Sequence, residues 1–312
     1  VVTHQGIRQT WAEFNNSVNA VAKGLMAKGI KAGDRVGMWS PNYAEWIYIQ
    51  YATAKIGAIQ VNVNPAYRTS ELEYVLNQSG CRMLVTCTEY LTSAYAEMVE
   101  KVRPSLPSLE EVIYFDTDDW TKLMAAGETV SDAQLRERSA GLNPTDAINI
   151  QYTSGTTGFP KGATLSHRNI LNNAKLVGGA CGYDESDRVC IPVPFYHCFG
   201  MVMGNLACCV YGAAKVIPCP TFNPGAVLQT VQDEKCTSLY GVPTMFIAEL
   251  GHPDLSTFDL SALRTGIMAG SPCPIEVMRN VFDVMNMREV TIAYGMTETA
   301  PVSTQTSATD SV

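Results

Sequence analysis

Residues 148–162, reading INIQYTSGTTGFPKG, decide how this chain is understood. Ile148, Ile150 and Tyr152 alternate with polar residues, the period of a β-strand. That strand runs directly into Thr153-Ser154-Gly155-Thr156-Thr157-Gly158-Phe159-Pro160-Lys161-Gly162. Two glycines let backbone N–H groups turn toward an anion, four hydroxyls can donate further hydrogen bonds, and Lys161 adds a mobile positive charge. The combined chemistry suits a polyphosphate. The spacing Gly155-x-x-Gly158-x-x-Lys161 is not that of a Walker A loop, and Gly162 stands where that loop has the Ser or Thr that holds magnesium. The plainer alternative is a Ser/Thr/Gly turn with a solvated lysine.

Working outward, the chain upstream alternates helix and strand signals. Thr10 and Glu13 form a capping-box pair ahead of Trp11, Phe14, Val18, Val21 and Leu25 at helical spacing, with a stop near Gly29 and a strand over Arg35–Trp39. The pattern repeats with a turn at Pro41-Asn42, a helix over 43–56, Gly57 as its stop, and a strand through Ile59, Val61 and Val63. A further round leads from Ser70 and Glu73 to the strand Met83-Leu84-Val85. Downstream, strands are expected over 189–193, 215–217, 237–240, 263–268 and 290–293, with Pro224, Pro243 and Pro274 in first helical turns. This alternation predicts the α/β class, with mixed, mostly parallel sheets sandwiched by helices. A polar stretch over 116–143 marks the expected boundary between two lobes of one continuous domain, residues 1–143 and 144–312.

Composition narrows the function classes. Among 312 residues, 22 Lys and Arg stand against 30 Asp and Glu, a net charge of −8, so neither a nucleic-acid footprint nor a general attraction to anionic lipid is expected. Ten cysteines with no CxxC pair and only four histidines argue against zinc and for free thiols in a reducing compartment. The cytoplasm is expected, with the mitochondrial matrix as the alternative. The apolar stretch 198–214 is too short for a membrane span and reads as a buried helix. The opening Val1-Val2-Thr3-His4 reads as structured sequence rather than a signal peptide. No G-x-S-x-G elbow supports a serine hydrolase.

Three further segments carry chemistry. In Tyr294-Gly295-Met296-Thr297-Glu298-Thr299 an aromatic face can stack on adenine, Gly295 permits close approach, Thr297 can bond a phosphate oxygen and Glu298 can bind Mg²⁺. Taken alone, the same string fits a helix cap. Gly270-Ser271-Pro272 follows an expected strand, where α/β proteins place ligands. His197 follows another strand and precedes an apolar helix.

Together, TSGTTGFPKG, Pro194-Phe195-Tyr196-His197, Ala269-Gly270-Ser271-Pro272 and YGMTET, in this order, resemble the signatures of the adenylate-forming (AMP-binding) superfamily. The resemblance covers essentially the whole chain. It implies the large N-terminal domain of that fold, with the C-terminal small domain absent, and an AMP-forming acid–thiol ligase. In such an enzyme a carboxylate attacks the α-phosphorus of ATP, and CoA then takes the acyl group. It implies nucleotide contacts from Thr153 to Lys161 and from Gly270, Ser271, Pro272, Tyr294, Gly295 and Thr297. Glu298 becomes the magnesium ligand, and Lys161, His197, Thr297 and Glu298 the reacting set.

Val202, Met245, Gly295 and Met296, with His197, would border the acyl group, joined by Met203 and Phe246 as apolar lining. Asn62-Val63-Asn64-Pro65-Ala66-Tyr67, residues 192–200 and residues 240–246 resemble the medium-chain fatty-acid branch, with aryl and malonyl acids as alternatives. The chain stops before the family's Thr-Gly-Asp motif, hinge and late lysine, so a fragment weak on its own is expected. A nucleotide- or acyl-binding module without catalysis is the competing reading, and a homodimer is left open.

Overall fold

The Thr10 hydroxyl accepts a hydrogen bond from the Glu13 amide while the Glu13 carboxylate accepts one from the Thr10 N–H, and this reciprocal cap starts α1 (Trp11–Ala27). The protein, a computed structural model, is described over residues 1–153 and 160–310. It divides into two compact units, residues 9–168 and residues 1–8 with 169 onward.

After α1, the first unit runs β1 (Arg35–Trp39), α2 (Ala44–Ile56), β2 (Ile59–Asn62), α3 (Thr69–Ser79), β3 (Met83–Thr86) and α4 (Tyr95–Val102). It continues with β4 (Glu111–Tyr114), α5 (Asp118–Gly127), α6 (Asp132–Ala140), β5 (Ala147–Thr153) and β6 (Lys161–Ser166). The sheet order is β4-β3-β1-β2-β5-β6, parallel except for the β5–β6 pair.

Chain direction then dictates the helix layers. The β1→β2 and β4→β5 crossovers run one way across the sheet and β2→β3→β4 the other, so right-handed connections place α2, α5 and α6 on one face and α3 and α4 on the opposite face. The packing groups agree: α1 packs on α2 and α5, α2 on α6, and α3 on α4. Val36, Met38 and Trp39 of the central strand β1 are fully buried. Trp39 stacks on Tyr95 at 3.7 Å and its indole N–H donates to the Asn64 carbonyl at 3.0 Å. The segment from Asn62 to Tyr67 is thus held against the core of its own unit.

The second unit follows α7 (His167–Ala180), a helix that carries the chain across the unit boundary. Its elements are β7 (Arg188–Cys190), a π-helical segment Phe199–Leu206, α8 (Ala207–Tyr211), β8 (Ala214–Val216), α9 (Pro224–Asp233) and β9 (Ser238–Gly241). There follow α10 (Pro243–Leu250), β10 (Thr265–Ala269), α11 (Ile275–Val284), β11 (Glu289–Gly295) and β12 (Val302–Gln305). The order β12-β11-β10-β9-β7-β8 is parallel except for β11–β12. Residues 1–3 extend the edge: the Ile217 amide donates to Val1 O at 2.9 Å and the Thr3 amide to Ile217 O at 3.0 Å.

The expected α/β class with mostly parallel sheets is found, and several details differ. The stretch 116–143 is not an excursion between lobes; it forms α5 and α6, packed on α1 and α2. The change of unit falls between Arg168 and Asn169, where the sequence suggested residue 143. The reason is that Val61 of β2 takes Ile150 of β5 as its partner, which keeps β5 and β6 in the first sheet. Pro224 and Pro243 open their helices as expected, whereas Pro274 is the residue before α11. The apolar stretch 198–214 is largely helical, and no helix among the described residues is long and apolar enough to cross a membrane.

Candidate functional site

In the first unit, Thr153 ends β5 and Lys161 begins β6, and the two stand opposite one another in the antiparallel register. The loop's last described turn is held from outside, because the Tyr74 hydroxyl of α3 donates to the Pro160 carbonyl at 3.1 Å. Lys161 is exposed. It belongs to a strand, so its Cα is held by sheet pairing. Ser154, Gly155, Thr156, Thr157, Gly158 and Phe159 lie outside the described residues.

The second unit delivers the remaining candidates through parallel pairing. Ala269 of β10 and Ala293 of β11 are register partners, so Gly270-Ser271-Pro272 and Tyr294-Gly295 emerge next to each other at the C-terminal edge of the sheet. Gly241, partner of Met268, ends β9 at the same edge, and His197 follows β7, which pairs with β9. This is the edge at which parallel α/β sheets bind ligands. Gly270 has φ +91°, and Gly270, Ser271 and Pro272 are all exposed. Tyr294 is 67% exposed at that edge.

YGMTET is also a tight turn. A Cβ on Gly295 would sit 1.9 Å from the Pro301 carbonyl oxygen, so the chain's own return into β12 requires this glycine. The Thr299 hydroxyl donates to Pro301 O at 2.6 Å and accepts from the Met296 amide at 3.2 Å. Thr297 is buried at the start of a short 3-10 turn, while Glu298, next to it, projects into solvent. Among the described residues no three His, Cys, Asp or Glu side chains converge as a metal cage. An exposed single carboxylate nevertheless fits Mg²⁺, which takes one or two protein oxygens and completes its shell with phosphate and water.

His197 has a defined tautomer. Its Nδ1 accepts the Phe199 amide at 3.2 Å, which leaves Nε2 as the protonated nitrogen of the neutral ring. The residue reaches solvent, yet desolvation by the surrounding protein lowers its pKa from 6.5, so the ring is neutral at physiological pH. Of the apolar candidates, Val202 and Met203 are buried in the π-helical segment, Met245 is half-buried and Met296 is exposed. Phe246 is fully buried in the core formed with Leu239, Met268 and Val281.

Sequence reading passed over Tyr74 and Asn173. The Asn173 side chain donates to Val302 O at 2.9 Å and accepts from the Val302 amide at 3.1 Å, and so imitates a strand partner that pins the return from YGMTET. Neither belongs to a short motif, and each acts on a segment far along the chain.

A family model described as "AMP-binding enzyme" matches residues 1–312. The chain is 48% identical over 330 residues to YngI of Bacillus subtilis (strain 168), a protein whose name carries a provisional acyl-CoA synthetase assignment; the match covers 100% of this chain and 60% of YngI. It is 45% identical over 323 residues to the mitochondrial medium-chain acyl-CoA ligase ACSF2 of Danio rerio, covering 97% of this chain and 53% of that protein. The chain thus spans between half and two thirds of the length of these relatives. A Mycobacterium tuberculosis fatty acyl CoA synthetase superposes with a TM-score of 0.85 at 23% identity, over 99% of this chain and 58% of that one, a likeness of fold. On the match along its whole length, the chain belongs to the AMP-binding enzyme family.

Proposed function

We propose that this chain supplies the nucleotide and carboxylate sites of an AMP-forming acyl-CoA ligase acting on medium-chain fatty acids. The observation that carries the reading is the emergence of His197, Gly270-Ser271-Pro272 and the YGMTET turn at one C-terminal sheet edge, in a chain whose strand β5 leads into TSGTTGFPKG. The 45% identity to a protein named as a medium-chain ligase supports the acid class.

In the first half-reaction a carboxylate oxygen attacks the α-phosphorus of ATP and the bond to pyrophosphate breaks. The protein's work is positioning and charge neutralisation. Tyr294 stacks on adenine beside Gly270, Ser271, Pro272 and Gly295, and the Thr297 hydroxyl donates to an α-phosphate oxygen. Lys161 and the residues from Thr153 to Pro160 hold the β- and γ-phosphates. The Nε2–H of His197 donates to the carboxylate or the α-phosphate without carrying a charge that would have to be desolvated. Glu298 is the residue that would hold Mg²⁺, whose charge offsets that of the phosphates. Val202, Met245 and Met296 border the acyl chain. In the second half-reaction the CoA sulfur attacks the acyl carbonyl, AMP leaves and the thiol proton passes to solvent.

All ten cysteines are free thiols, which suits a reducing compartment: the cytoplasm, or the mitochondrial matrix, the Danio rerio relative being named as mitochondrial. Carboxylate-dependent ATP–pyrophosphate exchange in the full protein, over straight-chain acids from acetate to stearate, tests the reading. Exchange should peak at medium chain length, and Lys161→Ala or Glu298→Ala should lower it about 100-fold or more. Nucleotide binding without exchange for any acid would instead identify a binding module.

A further inference from the structure

The two stems of the TSGTTGFPKG loop are fastened to the same helix. On the downstream side, the Tyr74 hydroxyl donates to the Pro160 carbonyl at 3.1 Å and accepts from the Gln78 side-chain Nε2 at 2.8 Å, one helical turn further along α3. Tyr74 thus acts as donor to Pro160 and acceptor from Gln78 at once. On the upstream side, the Tyr152 hydroxyl donates to the Val75 carbonyl at 3.2 Å. That ring lies across β6 because Gly162 is its register partner, and a Cβ there would come within 2.9 Å of Ile150 Cγ2 and 3.5 Å of Tyr152 Cζ. Burial raises the Tyr152 pKa to about 12, so the phenol remains a donor at physiological pH. Adjacent residues of α3, Tyr74 and Val75, thus hold opposite sides of the loop base.

We propose that Tyr74 and Tyr152 are positioning residues for the phosphate grip, locking Pro160 and the end of β5 to α3 so that Lys161 leaves the sheet at a fixed point and angle. This rests on the nucleotide role proposed for Lys161. An ammonium on a four-carbon stem reaches a phosphate at low entropic cost only if its Cα is held still. These two hydroxyls would then set the affinity of the site for the triphosphate.

The test uses Tyr74→Phe, Tyr152→Phe and Lys161→Ala in the full-length protein, alone and with each Phe variant combined with Lys161→Ala. Each is assayed for kcat and KM in ATP–pyrophosphate exchange and for thermal unfolding. Phenylalanine keeps the ring packing and removes only the hydroxyl. Each single Phe variant should lower kcat/KM for ATP about 3- to 10-fold, the worth of one hydrogen bond, with KM for the carboxylate unchanged. In the Lys161→Ala background the same substitution should change kcat/KM for ATP less than 2-fold, because the group being positioned is gone. Unchanged kcat/KM for ATP in both Phe variants overturns the proposal, as does an equal loss with and without Lys161. If Lys161→Ala itself is harmless, the nucleotide role of the loop fails first, a result separable from the other two.

Discussion

Glu249 is a fully buried carboxyl on α10, with neither side-chain oxygen hydrogen-bonded. Desolvation drives its pKa well above the ordinary 4.5. A folded-state pKa raised above the unfolded one means that stability is greatest below pH 4.5 and declines as pH rises, by about 1.4 kcal/mol for each pH unit up to the folded value. Glu249→Met should therefore stabilise the protein at pH 7.5 by about 1–3 kcal/mol, and by less at pH 4.5, as measured by urea denaturation at the two pH values. A variant less stable at pH 7.5 would show that the carboxyl is paired in solution. The feature is invisible in Pro243–Leu250 as a string, where Glu249 reads as a solvent-facing helix position. Lys161, His197 and Glu298 could be proposed from the sequence because each stands in a short motif, and the order of those motifs along the chain is a property of the string.

At the level of elements, the strands missed in the sequence are instructive. β4 and β12 have four residues each and β6, KGATLS, opens with a lysine and a glycine. Length is not the obstacle, since β3 and β8 are as short and were expected; β6 is a strand because β5 pairs with it. The return from YGMTET into β12 likewise depends on a partner elsewhere, Asn173 on α7. Asn173→Ala removes both of its bonds to Val302 and should cost about 1–3 kcal/mol. It should speed hydrogen exchange at the Val302 and Met296 amides, while Asn173→Asp, which keeps the acceptor, should retain protection at Val302. Exchange in Asn173→Ala equal to wild type would mean that strand pairing alone holds the turn.

For the molecule as a whole, the first eight residues belong to the second unit, not to the one that follows them. Besides the backbone bonds at Val1 and Thr3, the Arg8 guanidinium pairs with Glu234 at the end of α9, which also pairs with Arg188. Burial alone would raise the Glu234 pKa, yet the two guanidiniums outweigh it and hold the carboxyl below 4.5, so the contribution of this cluster persists above that pH and is lost as acid protonates Glu234. Deleting residues 1–8 should deprotect the Ile217 amide and loosen the β8 edge while leaving the amides of β3 unaffected in hydrogen exchange. Equal deprotection in both sheets would contradict the assignment of this segment to one unit.

Residue order by itself determined the alternation of helix and strand, the loop leading out of β5 and the chemical types of the site, because periodicity, capping and loop chemistry are local properties. The tertiary structure decided which sheet takes β5 and β6, that Gly295 serves the chain's own turn, that Lys161 stands on a strand, which distant partners Tyr74 and Asn173 have, and that Glu249 is buried. Each of these depends on partners brought close by sheet order and helix packing, with Tyr74 and Pro160 86 positions apart and Asn173 and Val302 129 apart. Contacts at that separation leave no local pattern to read, since they arise only when the whole chain has closed upon its two sheets.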